Sequence, residues 1–419
     1  MDTLKIILFI LFVVQYCDSA NILYVVPFTS KSHYIMLKPI GLELARRGHN
    51  VTVITGHRVE KPPPNYHQYM VDEKEIWDVI GGSRPNVFKM VEISAEKFHE
   101  DVLWKGGLAF TELTLNSTQI KRLLHEDTKF DLVISEQFFQ EALYTLAHKY
   151  NAPLVLVTTF GNCMRHNIVA RNPLQLATVI SEFLDVRDPT SFRARMRNWY
   201  FTMYEYVYWR FWYLEEQEKL VRKYLPDLPK PVPSLYDLQK NASLILLNGH
   251  FSFDTPAAYL PNVVEIGGVH LTKSDTKLPE DLQKILDNAK HGAVYMNFGS
   301  NVRSSELPEE KKRAVLNVFR KLKQTVLWKW EDDNLENKPD NLISYGFGKI
   351  LEYHDINEET LSEVLHEVLT NDSYRINAKE LSARFKDRPM DALETAMFWI
   401  EYVIRNKGAH YMKNPALEL

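Results

Sequence analysis

Cysteine and glycine are scarce in this chain, basic residues have no surplus, and no apolar run is long enough for a membrane span. Cys17 and Cys163 are the two cysteines in 419 residues. Cys17 falls in a leader-like N-terminal segment, and Cys163 alone cannot close an internal disulfide, so core packing must hold the fold. The 16 glycines are about half the usual share of ~7%, so Gly-rich phosphate loops are few. Fifty basic side chains face 54 acidic ones, a net charge of −4, which offers no electrostatic footprint for nucleic acid. The best late apolar run, Ala396–Ile404, is interrupted by Glu401 and falls short of the roughly 18 residues a span requires. No Gly-x-x-x-x-Gly-Lys-Ser/Thr loop occurs and no His/Cys/Asp/Glu spacing suggests a metal, so neither a metal nor a cofactor is expected.

What is present is globular: 45% hydrophobic and 25% charged residues, in a length that suits two or three domains. The first residues, Met-Asp-Thr-Leu-Lys, lead into an apolar run from Ile6 to Val14 and small residues at Ser19 and Ala20. That pattern reads as a secretory signal peptide over 1–20, with a buried first strand or helix as the alternative. The mature chain is then expected in the endoplasmic reticulum lumen or secreted, without a membrane anchor. Four sequons begin at Asn50, Asn116, Asn241 and Asn371. Asn50 opens an apparent core strand, and the others are the better acceptors.

Strand and helix alternate along the early chain. Strands are expected at 22–27, 51–54, 132–134, 153–157, 244–247 and 263–266, with helical patterns at 34–47 and 138–150. Near-continuous apolar strands alternating with helices argue for a doubly wound parallel sheet. Residues 180–225 crowd aromatics, Trp199 to Tyr213 among them, into one helical segment. A buried helix pair is the plain reading; part of that face lining a lipophilic pocket or touching a membrane surface is the other. Residues 269–287 read as a linker, followed by a second α/β unit with strands at 293–298 and 325–330 around a helix at 307–322, one weak apolar stretch at 342–351, and helices from 357 onward. A doubly wound domain needs five or six strands, and this one shows two or three.

Chemistry gathers at strand ends. His33, in Ser30-Lys31-Ser32-His33, follows the first strand at its carboxyl end, where such sheets bind ligands. It can serve as a general base or be an ordinary loop histidine. Glu136 closes Asp131-Leu132-Val133-Ile134-Ser135-Glu136 on the same rim, where a carboxylate can orient the imidazole. Asp131, at the opposite end, is expected to be structural. Gly299 and Ser300, after Asn297-Phe298, offer close backbone approach and a hydroxyl for a phosphate, or a helix cap.

Together these pieces resemble the animal UDP-glycosyltransferases, most closely insect-type members. The resemblance rests on Ser32-His33, Glu43 to Thr52, Phe130-Asp131 with Glu136, Leu260-Pro261-Asn262-Val263 and Ile266 to His270. Phe298-Gly299-Ser300, Val326 to Trp330, Asp387-Arg388-Pro389 and Phe398 to Tyr402 extend it, in order, over nearly the whole chain. It implies an α/β, GT-B-like fold with two Rossmann-like domains: 21–268 for a small lipophilic acceptor and 288–419, internally incomplete, for a UDP-sugar. The UDP-sugar is a co-substrate rather than a cofactor. It also implies that His33 deprotonates the acceptor hydroxyl, paired with Glu136 where the family usually has aspartate, and that Gly299 and Ser300 lie on the donor side.

One departure is large. Where the family has a Trp-x-Pro-Gln segment, a His-Gly-Gly turn, a Gly-Val-Pro strand and an Asp-Gln pair, Leu342-Ile343-Ser344-Tyr345 runs straight into Gly346-Phe347-Gly348-Lys349. Those elements grip uracil, ribose, sugar and diphosphate, so UDP-sugar binding is expected to be weak or absent. Three readings stay open: a hexosyltransferase (glucose or glucuronate) of severely impaired activity; a non-catalytic lumenal lipophile-binding protein or modulatory dimer partner of full-length relatives; or an exon-skipped or mispredicted product.

Overall fold

The computed structural model describes residues 19–71, 74, 76–79, 86–90, 93–186, 188–271, 277–299, 302–330 and 356–413. The expected leader up to residue 18, Ser300 and the junction at 342–349 lie outside the described residues.

Seven strands make one sheet: β1 (Asn21–Val26), β2 (Asn50–Thr55), β3 (Tyr66–Met70), β4 (Leu132–Glu136), β5 (Leu154–Val157), β6 (Leu244–Leu247) and β7 (Val263–Glu265). All pair in parallel, in the order β3-β2-β1-β4-β5-β6-β7. The reason lies in the side chains. Ile22, Leu23 and Tyr24, then Leu132 to Ile134, Val155 to Val157 and Leu244 to Leu247, have no exposed surface. Strands apolar on both faces must be covered on both, which is the condition of a parallel sheet between helix layers. The chain builds outward from β1 to β3, then returns to the other side of β1 and builds from β4 to β7. The topological switch point therefore lies between β1 and β4. The edge strand β3, Tyr-His-Gln-Tyr-Met, has one buried residue at its start; it lacks an apolar run and was not anticipated from the sequence.

Among the helices are α1 (Lys31–Arg46), α2 (Lys105–Asn116), α3 (Met164–Ala170), α4 (Phe192–Tyr208), α5 (Leu214–Tyr224), α6 (Glu280–Asp287), α7 (Glu309–Lys321), α8 (Glu358–Thr370), α9 (Ser373–Lys386) and α10 (Ala392–Arg405). Helix α1 stops where Gly48 takes φ +96°, a left-handed conformation that costs glycine little.

Two compact units result: residues 1–83, 94–272 and 388–419, and residues 84–93 and 273–387. This corrects the contiguous division expected at 268 and 288. Helix α10 sits in the first unit, because Ala396, Met397, Ile400 and Val403 form an apolar stripe that packs with Ile40, Leu44, Leu132 and Leu244. Arg47 adds polar ties, Nη2 to Glu394 Oε1 at 2.6 Å and Nη1 to Glu401 Oε1 at 3.2 Å. Conversely, Phe88 joins the core of the second unit with Leu307, Val315, Phe319 and Trp328, and Asn86 Nδ2 donates to Glu306 O at 2.8 Å. The expected linker is also partly ordered: α6 occupies 280–287, with no residue buried.

In the second unit β8 (Ala293–Met296) and β9 (Thr325–Trp328) pair in parallel, joined through α7. Among the described residues these are its two strands, and α8 and α9 have no fully buried residue.

Candidate active site

Three strand ends converge at the switch point. After β1, Pro27 to Ser30 turn the chain into α1, whose third residue is His33. Glu136 is the last residue of β4, and Thr159 follows the end of β5 by two residues. His33 Nδ1 lies 2.5 Å from Glu136 Oε1 and 3.0 Å from Thr159 Oγ1. The first turn of α1 also leaves backbone N–H groups without intrahelical partners, pointing out of the helix start.

The tautomer follows from the partner. An ionised carboxylate only accepts, so Nδ1 carries the proton it donates to Glu136, and Nε2 keeps the lone pair able to take a proton from a hydroxyl. His33 is 9% exposed and Glu136 1%. Phe28, Phe138 and Phe160 surround the imidazole, with ring centroids at 4.7, 4.6 and 5.9 Å. These rings leave little of the imidazole exposed and present apolar surface beside it. Glu136 Oε2 is buried and has no hydrogen-bond partner among the described residues, so the carboxylate makes its short contact through one oxygen. The glutamate carries one methylene more than aspartate, and here it reaches the imidazole.

Of the four candidate residues, His33 and Glu136 are brought together. Gly299 stands in the second unit, with φ +82° and open space where a Cβ would lie. Its N–H donates to Asn297 Oδ1 at 2.6 Å and its carbonyl accepts from Lys329 Nζ at 2.5 Å. Ser300 lies outside the described residues. Asp131 is structural: its Oδ2 accepts from the backbone N–H of Asn21 at 2.8 Å, tying the start of β1 to β4. Thr159 was missed in the sequence. Its signal was available, since Thr158-Thr159 follows the apolar run at 153–157 on the rim that carries Glu136.

Other titratable groups lie deeper. Cys163 is buried, and burial pushes its thiol up to about 12, which leaves it inert as a nucleophile. Arg165 is buried on α3; its guanidinium lies 3.7 Å from the centre of the Phe139 ring and its Nε donates to Glu205 Oε1 of α4 at 3.3 Å. Trp209 Nε1 donates to Glu141 Oε1 at 3.0 Å. Burial lowers the nearby His99 to about 4 and His166 to about 3. This cluster ties α3 and α4 together as buried ionic and aromatic packing. Among the described residues no group of three or more His, Cys, Asp or Glu could hold a metal, and no helix is long and apolar enough to cross a membrane.

A parallel seven-stranded sheet followed by a second α/β unit with a parallel strand pair belongs to the GT-B fold class. The fold is shared with the glycotransferase of kitacinnamycin, at a TM-score of 0.55 and 12% identity over 92% of this chain and 99% of that one. It is shared as well with a UDP-glucosyltransferase from Polygonum tinctorium capable of glucosylating indoxyl, at a TM-score of 0.53 and 13% identity over 92% and 98%. The chain itself belongs to the UDP-glucoronosyl and UDP-glucosyl transferase family, which it matches over residues 108–348 and 343–419, and it is thereby a transferase by family. Similar relatives include UDP-glycosyltransferase UGT5 of Dactylopius coccus, 28% identical over 464 aligned residues that cover 96% of this chain and 86% of the relative. Human UDP-glucuronosyltransferase 1A10 is 24% identical, covering 96% and 86%. An alignment of 464 positions exceeds the 419 residues of this chain, so the relative carries residues with no counterpart here. The two family segments overlap at 343–348.

Proposed function

We propose that this chain keeps the acceptor-activating half of a hexosyltransferase and has lost most of its grip on the UDP-sugar. The observation that carries the reading is the 2.5 Å contact between His33 Nδ1 and Glu136 Oε1 within a cage of phenylalanines. In the reaction, the acceptor hydroxyl gives its proton to His33 Nε2 as its oxygen bonds to the anomeric carbon. The bond from that carbon to the diphosphate breaks, UDP departs with the electron pair, and the anomeric centre inverts. Glu136 holds the ring and offsets the positive charge it gains.

The acceptor is a small lipophilic hydroxyl compound, in keeping with Phe28, Phe138 and Phe160, and the sugar is glucose or glucuronate. The departing diphosphate needs preorganised donors, and the stretch that holds them in the family is absent from the sequence. Turnover by this chain is therefore severely reduced. Its setting is the secretory lumen, with Asn116, Asn241 and Asn371, all exposed, as glycan acceptors, and a detoxifying role follows from the acceptor class. Incubation of purified protein with UDP-glucose or UDP-glucuronate and a phenol panel tests this reading. A slow transfer that His33→Ala abolishes supports it, and product formed equally by both proteins refutes it.

A second reading has its own support in the second unit, whose described residues form two strands. A chain able to hold a lipophile without the donor serves as a carrier, or as a modulatory dimer partner of full-length relatives. Acceptor binding with no transfer at all favours it over the first.

A further inference from the structure

Helix α4 is amphipathic the wrong way round for a helix facing water. Its inward face buries Ala194, Asn198, Phe201, Thr202 and Glu205. Two polar members of that face have partners: Asn198 Nδ2 donates to the carbonyls of Leu176 and Val179, and Glu205 accepts from Arg165. The outward face is apolar, with Phe192 72%, Met196 47%, Trp199 51%, Tyr200 55% and Val207 55% exposed. At 3.6 residues per turn these five residues lie in one stripe about 100° wide. A π-helical turn, Trp209–Tyr213, follows α4 and prolongs the surface. It carries Trp209 and Tyr213 into the core and leaves Phe211 69% and Trp212 41% exposed.

The free charges that α4 itself carries beside the stripe are basic. Arg193 and Arg195, both exposed, fall on its two edges and have no carboxylate partner among the described residues. Between Phe192 and Tyr213 there are four arginines and one acidic residue, Glu205, which is buried; of the four, Arg197 is already paired, its Nη1 donating to Glu96 Oε1 at 2.5 Å and its Nη2 to Glu96 Oε2 at 2.8 Å. Aromatic side chains with a guanidinium on either flank match the interface of an anionic bilayer, where rings settle at the headgroup level and arginines meet phosphate. A second copy of the chain is the poorer fit, because a two-fold pairing through this face sets its unpaired arginines against their own counterparts.

We propose that the outward face of α4 with the following turn is a peripheral membrane-docking surface for anionic phospholipid, lying in the headgroup plane without crossing it. It stands independently of transfer activity. The test is flotation of the full chain with vesicles of phosphatidylcholine alone or with about a third phosphatidylserine. Wild type is expected to bind the anionic vesicles at least ten-fold more tightly than the neutral ones. Arg193→Gln with Arg195→Gln is expected to weaken anionic binding about five-fold per arginine. Phe192→Ser with Trp199→Ser is expected to abolish binding to both kinds. These side chains are exposed, and unchanged circular dichroism and melting verify the fold; should the apolar pair misfold, the arginine pair still decides. The proposal is overturned if wild type fails to float with anionic vesicles or if the arginine pair binds as wild type does. It is overturned equally if sedimentation shows a dimer that the apolar pair converts to monomer.

Discussion

His33 and Glu136 lie 103 residues apart in sequence and 2.5 Å apart in space. The parallel pairing of β1 with β4 sets Ile22 opposite Leu132 and Val25 opposite Ser135. That register puts the end of β4 level with the end of β1, and the turn into α1 then swings His33 over the rim. A helix start and a strand end far apart in sequence thereby bring an imidazole and a carboxylate together at the crevice where the strand order reverses.

Removing either partner should cost the chemistry and spare the fold. His33→Ala is expected to lower product formation by about 10²- to 10⁴-fold. Glu136→Gln should also lower it, because the neutral amide no longer offsets the charge the ring gains. Overnight incubation read by mass spectrometry, with thermal melting as a control, checks both. Rates within a factor of two of wild type for His33→Ala would remove this histidine from the mechanism.

Calorimetry should separate the two substrates. A hydrophobic phenol is expected to titrate with a saturable signal, while UDP gives none up to millimolar concentration. Saturable UDP binding at micromolar concentration would show that residues other than the missing signature cradle the nucleotide.

Helix α10 is expected to behave as part of the first unit's core. Ile400 has no exposed surface, and Ile400→Ala should destabilise that unit by about 2–5 kcal/mol. Arg47 spans Glu43, Glu394 and Glu401 but is partly solvated, so Arg47→Ala should cost less, about 1 kcal/mol. Denaturant unfolding of both variants gives the order, and equal losses would argue against apolar docking as the main tie.

Acid should loosen the first unit through its buried histidines. Burial holds His99 at about 4 and His166 at about 3, below the ~6.5 of an unfolded chain. The unfolded state therefore binds more protons below that value, so the contribution is whole above pH 6.5 and fades as pH falls toward 4. A depression of two units corresponds to about 3 kcal/mol. Glu141 and Glu205, raised by burial, act with the opposite sign. Comparing wild type with His99→Gln cancels them, and the variant should show a flatter loss of stability between pH 7 and 5. An unchanged slope would mean that His99 is not held neutral.

Much of this was legible along the chain, and the parts that were not share a cause. The apolar runs at 132–134, 153–157 and 244–247 announced buried parallel strands. The family motifs marked His33 and Glu136, and position alone placed both on one rim. Strand β3 escaped because an edge strand is covered on fewer sides and need not be apolar. Thr159 escaped because a threonine after a strand is common, and only its 3.0 Å approach to His33 Nδ1 sets it apart.

The sequence by itself determined the element types in the first unit and the family, since each rests on local periodicity or on motifs in order. Only the tertiary structure decided that α10 returns to the first unit, that Phe88 leaves it for the second, and that α4 turns its aromatics outward. Periodicity says that a face is apolar, but whether that face meets core or solvent depends on surfaces brought up from distant parts of the chain.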